Sequence, residues 1–502
     1  MYWADALIEN LTSFQRVSTG ISPSGPIHVG NMREILTGDI IYRSLQKKGI
    51  DADFIYLCDN IDPLRKVYPF LDQSYSKYVG MPLYRIPAPD GNGTYSEYFL
   101  SPFIEVMKET GIKVNIIRTS ELYRQGILAE AIDLSIKKRS EIKNILESIS
   151  GRSIEGDFFP YEPICEKCGK ITTTKVISYS YPYVEYTCSC GYSGFSDIRK
   201  DEGKMPWRVE WPAKWYALHV SIEPFGKDHG APGGSYDTGK EIAKTVFGID
   251  APLPLTYERI ILKGKGAMHS STGINISASD MIKAIPPVIL RFVMARSSPL
   301  RHIDFDPGLG MLNLIDEFEK YQDEYFSGKE MEEDQKRIIE NSLIDTSKKA
   351  YPISFRHLVT LVQIYTKPDE IIRAARSSVG ENIDENDVSS EIYYVKNWLA
   401  SYAPDTLKFK LSDMNARVDL TDGEKKVLEK FLESINKINW ESNDIHNEVH
   451  EILKESNIPP EEGFSAFYKV LINKVRGPRL GYFLYNLGKE YTVERIKKAL
   501  ES

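Results

Sequence analysis

The pattern of apolar residues changes character near Ser279, and that change most restricts what the chain can fold into. Before it, strand-like runs alternate with runs of helical spacing. After it the strand signals fade. What remains is helices joined by short turns, as in IPPVILRFVMARS, DEIIRAARSSVG and EKKVLEKFLESINK. Strands are expected at residues 14–22 and Ala52–Cys58. Between them Val29, Met32, Ile35, Leu36, Ile40 and Leu45 recur at helical spacing up to Lys48, and Gly49 supplies the stop. Further helices are expected at Tyr98–Thr110, at Glu121–Ile149 and after Gly234. Further strands are expected at Lys113–Arg118, Trp215–Ile222 and Tyr257–Leu262. Strand, helix, strand in alternation argues for an α/β domain with a parallel sheet. At 502 residues the chain exceeds one hydrophobic core, so an α/β part and an all-α part are expected.

Composition narrows the class. The chain is 42% hydrophobic and 27% charged, as soluble globular proteins are. Its net charge of −8 does not advertise nucleic-acid binding, yet a local basic surface is what binds phosphate. Asp5 and Glu9 interrupt MYWADALIENL, which is no signal peptide. No run approaches the ~18 apolar residues of a membrane span. Five cysteines do not make a secreted disulfide framework. A cytoplasmic, monomeric protein with no membrane partner is expected.

The stretch ISPSGPIHVGNMREI (21–35) carries the first functional signal. Pro23 and Pro26 stiffen a loop, and Gly25 lets backbone approach a ligand. The helix opening near His28 offers N–H groups and a partial positive charge that suit phosphate. His28 and Asn31 can add hydrogen bonds, and Gly30 leaves flat backbone under a purine. A Gly/Pro loop before an ordinary helix, capped by His28, accounts for the same residues.

The cysteines carry the second. Cys165 and Cys168 have knuckle spacing, and Cys188 and Cys190 follow in a Tyr-, Thr- and Ser-rich segment at 160–195. Four thiolates so spaced suit a structural tetrahedral Zn²⁺. A disulfide is the alternative, disfavoured in a reducing compartment. Cys58 is left for packing. HNEVH (446–450) lacks Glu directly after its first His, so a solvated helix face explains it better than a metalloprotease motif. SIKKRSEIK (135–143) and YKVLINKVRGPRLGYF (468–483) are basic runs. The second interleaves Lys469, Lys474, Arg476 and Arg479 with Tyr468, Tyr482 and Phe483, a mix that suits unpaired RNA or a packed hairpin with a charged rim.

His28-Val29-Gly30-Asn31 resembles the first motif of class I aminoacyl-tRNA synthetases, usually written HIGH. The form PSGPIHVGN is similar to the glutamyl, glutaminyl and class I lysyl branches. CDNIDPLRKV (58–67), MPWRVEWPAKW (205–215) and EPFGKDHGAPGGSYDTG (223–239) follow in order and resemble the class I lysyl-tRNA synthetases. The resemblance implies a multidomain protein. It has an α/β Rossmann-like parallel-sheet catalytic domain at 1–278 with the zinc-binding insertion at 160–195 inside it. A stem-contact region at 279–345 and a helical anticodon-binding domain at 346–502 follow.

It also implies a reaction. Lysine and ATP, with Mg²⁺, give lysyl-adenylate, and the lysyl group passes to the terminal adenosine of tRNA(Lys). Pro23, Gly25, His28, Gly30, Asn31 and Met268 would bind ATP. Gly20, Ser22, Asp59, Trp207, Glu210 and His229 would hold L-lysine. A lysine pocket must pair an ammonium with a carboxylate and cover its stem, and WRVEWPAKW offers Glu210 among Trp207, Trp211 and Trp215. Asp59 and Asp62 are the alternative carboxylates. The family's second motif, KMSKS, departs here to Met268-His269-Ser270-Ser271-Thr272-Gly273, without its usual lysines. Lys263 or Lys265 would then reach the triphosphate, with Ser270 and Ser271 as donors. Two rivals stay open: a class I synthetase for glutamate, and a catalytically weak paralogue that binds tRNA.

Overall fold

Helix and strand patterning in the first half resolves into one parallel sheet. The computed structural model describes residues 1–151, 153–264, 266–267, 276–379 and 384–501. Five strands, β1 (Gln15–Ile21), β2 (Ala52–Cys58), β3 (Asn115–Arg118), β4 (Ile222–Gly226) and β5 (Leu253–Tyr257), lie in the order β5-β4-β1-β2-β3. All pair in parallel. β1 and β2 are in register from Gln15↔Ala52 to Ile21↔Cys58, whereas β1 and β4 share the single pair Val17↔Ile222. The chain builds outward from β1 to β3, then returns to the other side of β1. Strand order therefore reverses between β1 and β4, and the crevice at the carboxyl ends there is the usual ligand site of such sheets.

The helix Val29–Lys48 packs on this sheet through Val29, Met32, Ile35, Leu36, Ile40 and Leu45, all buried. Gly49 ends it at φ 80°, a conformation glycine adopts without steric cost. Several expected elements are redrawn. The long helix at 121–149 is three helices, Thr119–Arg124, Ala129–Lys137 and Arg139–Ser150. The expected strand from Trp215 begins only at Ile222. Trp215 instead closes the helix Trp207–Leu218, because Trp207, Trp211 and Trp215 stand four residues apart on one face. The expected strand at 257–262 is divided: β5 ends at Tyr257, and Ile260–Leu262 pairs with Gly266–Ala267 and Ile303–Phe305 in a separate sheet.

The cysteine-bearing insertion is all β. Thr174–Ser180, Tyr183–Cys188 and Ser193–Asp197 form an antiparallel meander. Its root is a two-residue ladder, Glu162↔Lys204 and Pro163↔Gly203.

The chain divides into two compact units. The first holds Met1–Ile282, Pro287–Phe305 and Ser327–Thr346; the second holds Lys283–Pro286, Asp306–Phe326 and Ser347–Ser502. The described residues of the second form helices and no strand. One of its cores gathers Val427, Phe431, Val449, Phe467, Leu471 and Phe483. No helix among the described residues is long and apolar enough to cross a membrane.

Candidate active site

The loop after β1 and the loop after β2 enclose a cavity of about 300 Å³. Ser22, Gly25 and Asn31 line it, together with Asp62, Arg65 and Tyr68. Pro23 and His28 are buried beside it, and Gly30 is half-buried on the first helical turn. Asn31 Oδ1 accepts from the His28 N–H at 3.1 Å, which ties the motif to its own helix start. The Val29 N–H donates to Ile276 O at 2.9 Å, and Ala278 N–H donates to Ile27 O at 3.1 Å. Thus part of the N–H array expected to meet phosphate is satisfied from within. The same bonds bring the segment following the second motif against the first. Lys263 is exposed on the turn leading into that motif. Lys265, Met268, Ser270 and Ser271 lie outside the described residues.

Gly20 sits where β1 presses on β2. A Cβ there would come within 2.6 Å of Leu57 O. Its N–H donates to Glu34 Oε1 at 2.7 Å, and the Tyr257 hydroxyl donates to Glu34 Oε2 at 2.9 Å. Burial pushes the Glu34 carboxyl up to about 7. Among the described residues its hydrogen-bond partners are two neutral donors. Glu223 on β4 is similar. It accepts from Trp211 Nε1 at 2.8 Å and from Trp215 Nε1, and burial raises it to about 8. Trp207 faces His229, with ring centroids 5.2 Å apart, and burial lowers the His229 imidazole below its ordinary range.

Glu210 stands apart from this aromatic group, among internal cations. It is fully buried on the adjoining face of its helix. Tyr123 Oη donates to it at 2.6 Å, and Lys214 Nζ and Lys204 Nζ stand 3.0 and 3.7 Å away. Internal cations offset part of its charge, and those two ammoniums are shared with Asp59 and Asp62. Asp59 is likewise engaged, by Lys214 and by the Thr119 hydroxyl at 2.7 Å. Sequence reasoning missed Glu34, although it lies in the quoted stretch. The available signal was an acidic residue beside Met32 and Ile35 on the buried stripe of a helix.

The four insertion cysteines converge. Their sulfurs all lie within 4.8 Å of one another, with Cys165–Cys190 and Cys168–Cys188 each at 3.7 Å. A tetrahedron with Zn–S bonds of about 2.3 Å has edges of about 3.75 Å, so the donor set fits such an ion.

A second cavity, of about 780 Å³, lies within the helical unit. The helix Phe355–Ile364, the segment 406–409 and the connection 472–482 wall it. Arg356, Lys474, Arg476 and Arg479 line it alongside Phe409 and Tyr482, and among the described residues no carboxylate does. Tyr482 is 41% exposed, with the Arg479 guanidinium 5.4 Å from its ring centre. His357 Nε2 is buried there without a hydrogen-bond partner among the described residues.

Residues 1–345 match the family model described as tRNA synthetases class I (K), and residues 395–500 match one described as an anticodon binding domain. A lysine–tRNA ligase of Thermoplasma volcanium is 64% identical over 500 residues, covering 100% of this chain and 99% of that one. One of Thermoplasma acidophilum is 58% identical, with the same coverage. One of Archaeoglobus fulgidus is 42% identical, with both chains covered in full.

Proposed function

The chain belongs to the class I lysyl-tRNA synthetases and is a lysine–tRNA ligase, and we propose that Glu34 receives the ε-ammonium of lysine in the crevice between β1 and β4. The observation that carries this reading is a half-buried carboxylate at the reversal of strand order, held by Gly20 and Tyr257 with no cation bonded to it among the described residues. An arriving ammonium supplies the missing charge. Trp207 and His229 cover the alkyl stem, and Ser22 faces the reacting end. ATP enters as its Mg²⁺ complex beside Gly25, Gly30 and Asn31, with Pro23 and His28 shaping the loop. Arg65 joins this set as a cation on the cavity wall. Lys263 and Lys265 approach the triphosphate from the second-motif loop, where Met268, Ser270 and Ser271 also stand. The lysine carboxylate attacks the α-phosphate in line, and alignment with charge stabilisation lowers the barrier.

Zinc belongs to the same proposal as a structural ion held by Cys165, Cys168, Cys188 and Cys190, where it stiffens the insertion. So do the boundaries at 278 and 345, a cytoplasmic location and a monomer. The cavity walled by Arg356, Arg479 and Tyr482 takes bases of the tRNA(Lys) anticodon loop. Its supports are four cations on a wall that carries no carboxylate among the described residues, two of them paired outside it with Asp316 and Glu461, and an aromatic ring for stacking.

Lysine-dependent ATP–pyrophosphate exchange tests the reading, with glutamate as competitor substrate. Exchange with lysine alone is expected. Exchange with glutamate would overturn the pocket, and tRNA binding without any exchange would favour the weak paralogue. Glutamate would need a cation where Glu34 and Glu223 stand.

A further inference from the structure

Lys204 lies at the root of the cysteine-bearing insertion, yet its ammonium points into the catalytic unit. Its strand pairs with Glu162–Pro163, the strand that leads into Cys165. Lys204 Nζ donates to Asp62 Oδ1 at 2.6 Å, and only 4% of the side chain is exposed. The other oxygen of Asp62 accepts from the Ser22 hydroxyl. Ser22 and Asp62 both line the 300 Å³ cavity. Asp62 is further fixed by its own carbonyl, which accepts from Leu83 N–H at 2.9 Å. Lys204 therefore reaches the substrate cavity through two hydrogen bonds, the first buried and the second partly so. Burial opposes the Asp62 charge, but the Lys204 charge outweighs it and holds that carboxyl below its ordinary range.

We propose that Lys204 is a positioning residue for lysine activation: it orients Asp62, and Asp62 fixes the Ser22 hydroxyl at the amino-acid end of the cavity. This rests on the reading of that cavity as the activation site. Without the ammonium, Asp62 loses its fixed orientation and Ser22 samples other rotamers. The insertion thereby becomes part of the amino-acid site without touching substrate.

The test is steady-state ATP–pyrophosphate exchange by full-length K204M, K204R, S22A and K204M/S22A, with KM measured separately for lysine and ATP. K204M is expected to raise KM for lysine tenfold to about a hundredfold, with KM for ATP unchanged. K204R should recover part of the loss, and K204M/S22A should be no worse than the worse single variant, because both act on one hydroxyl. A K204M/D62N chain, which removes both charges of this ion pair and leaves Glu210 beside Lys214, serves if K204M fails to fold; it should show the same selective rise. Equal changes in both KM values, or additive effects of K204M and S22A, would overturn the proposal. Unchanged lysine KM in a folded K204M or K204M/D62N chain would do so as well. If no variant and no unsubstituted protein exchanges with lysine, the reading of the cavity itself fails instead.

Discussion

At the scale of residues, the proposed lysine site sets apart two glutamates, the half-buried Glu34 and the fully buried Glu210. Glu34 has neutral donors and a carboxyl raised to about 7. An ammonium binds its ionised form, so the proton must leave first. Lysine KM should therefore fall as pH rises through 7, by up to tenfold per unit below that value, and level off above it. E34Q should weaken lysine binding and flatten this profile; a profile of the same slope in E34Q would sink the assignment. Glu210 has the opposite role. Tyr123 donates to it, and Lys204 and Lys214, shared with Asp62 and Asp59, stand beside it. E210Q should lower unfolding free energy by about 1–3 kcal/mol in denaturant titration and leave lysine KM unchanged. The sequence exposed both residues but could not rank them. Glu210 stands among tryptophans in the chain, whereas the helix turns its carboxylate away from their face. Ser22, Gly25 and Asn31 were legible because a Pro/Gly loop between strand and helix leaves few places for its residues to go.

At the scale of elements, the strands and helices that follow a single period were readable. β2 comes out at its expected bounds, and the helix from Val29 to Lys48 likewise. WYALHVSI misled because its apolar spacing suits a strand as well as a helix; packing of Trp215 on Glu223 and Tyr236 chose the helix. Val176, Tyr179 and Val184 of the insertion pack on the main core, whereas its cysteine end has only a small cluster of Cys165, Tyr186 and Cys188 with Cys168 and Tyr192. We expect the proposed ion to hold that end. Chelation, or C168S, should strip hydrogen-exchange protection from residues 162–204 while the five-stranded sheet keeps its own. One zinc per chain is expected by elemental analysis, and protection untouched by chelation would count against the ion.

At the scale of the whole molecule, the cavity proposed for activation and the cavity proposed for RNA fall in separate units. Y482A and R479A should cut kcat/KM for tRNA(Lys) by roughly 5- to 150-fold, the range of one lost stacking contact, with lysine-dependent exchange unaltered. Equal tRNA kinetics in both variants would remove the cavity from the RNA surface. Sequence by itself determined the α/β-then-α order, the loop-to-helix motif and the four-cysteine set. Each is local or carried by short spacing, and short spacing survives in a one-dimensional string. Tertiary structure decided which carboxylates keep a cation. Lys204 and Asp62 are 142 positions apart, Glu34 and Tyr257 are 223 apart, and the helical cavity draws on residues from Leu312 to Tyr482. Charge neutralisation in a low-dielectric interior depends on distance in space, and for these groups only the folded chain sets that distance.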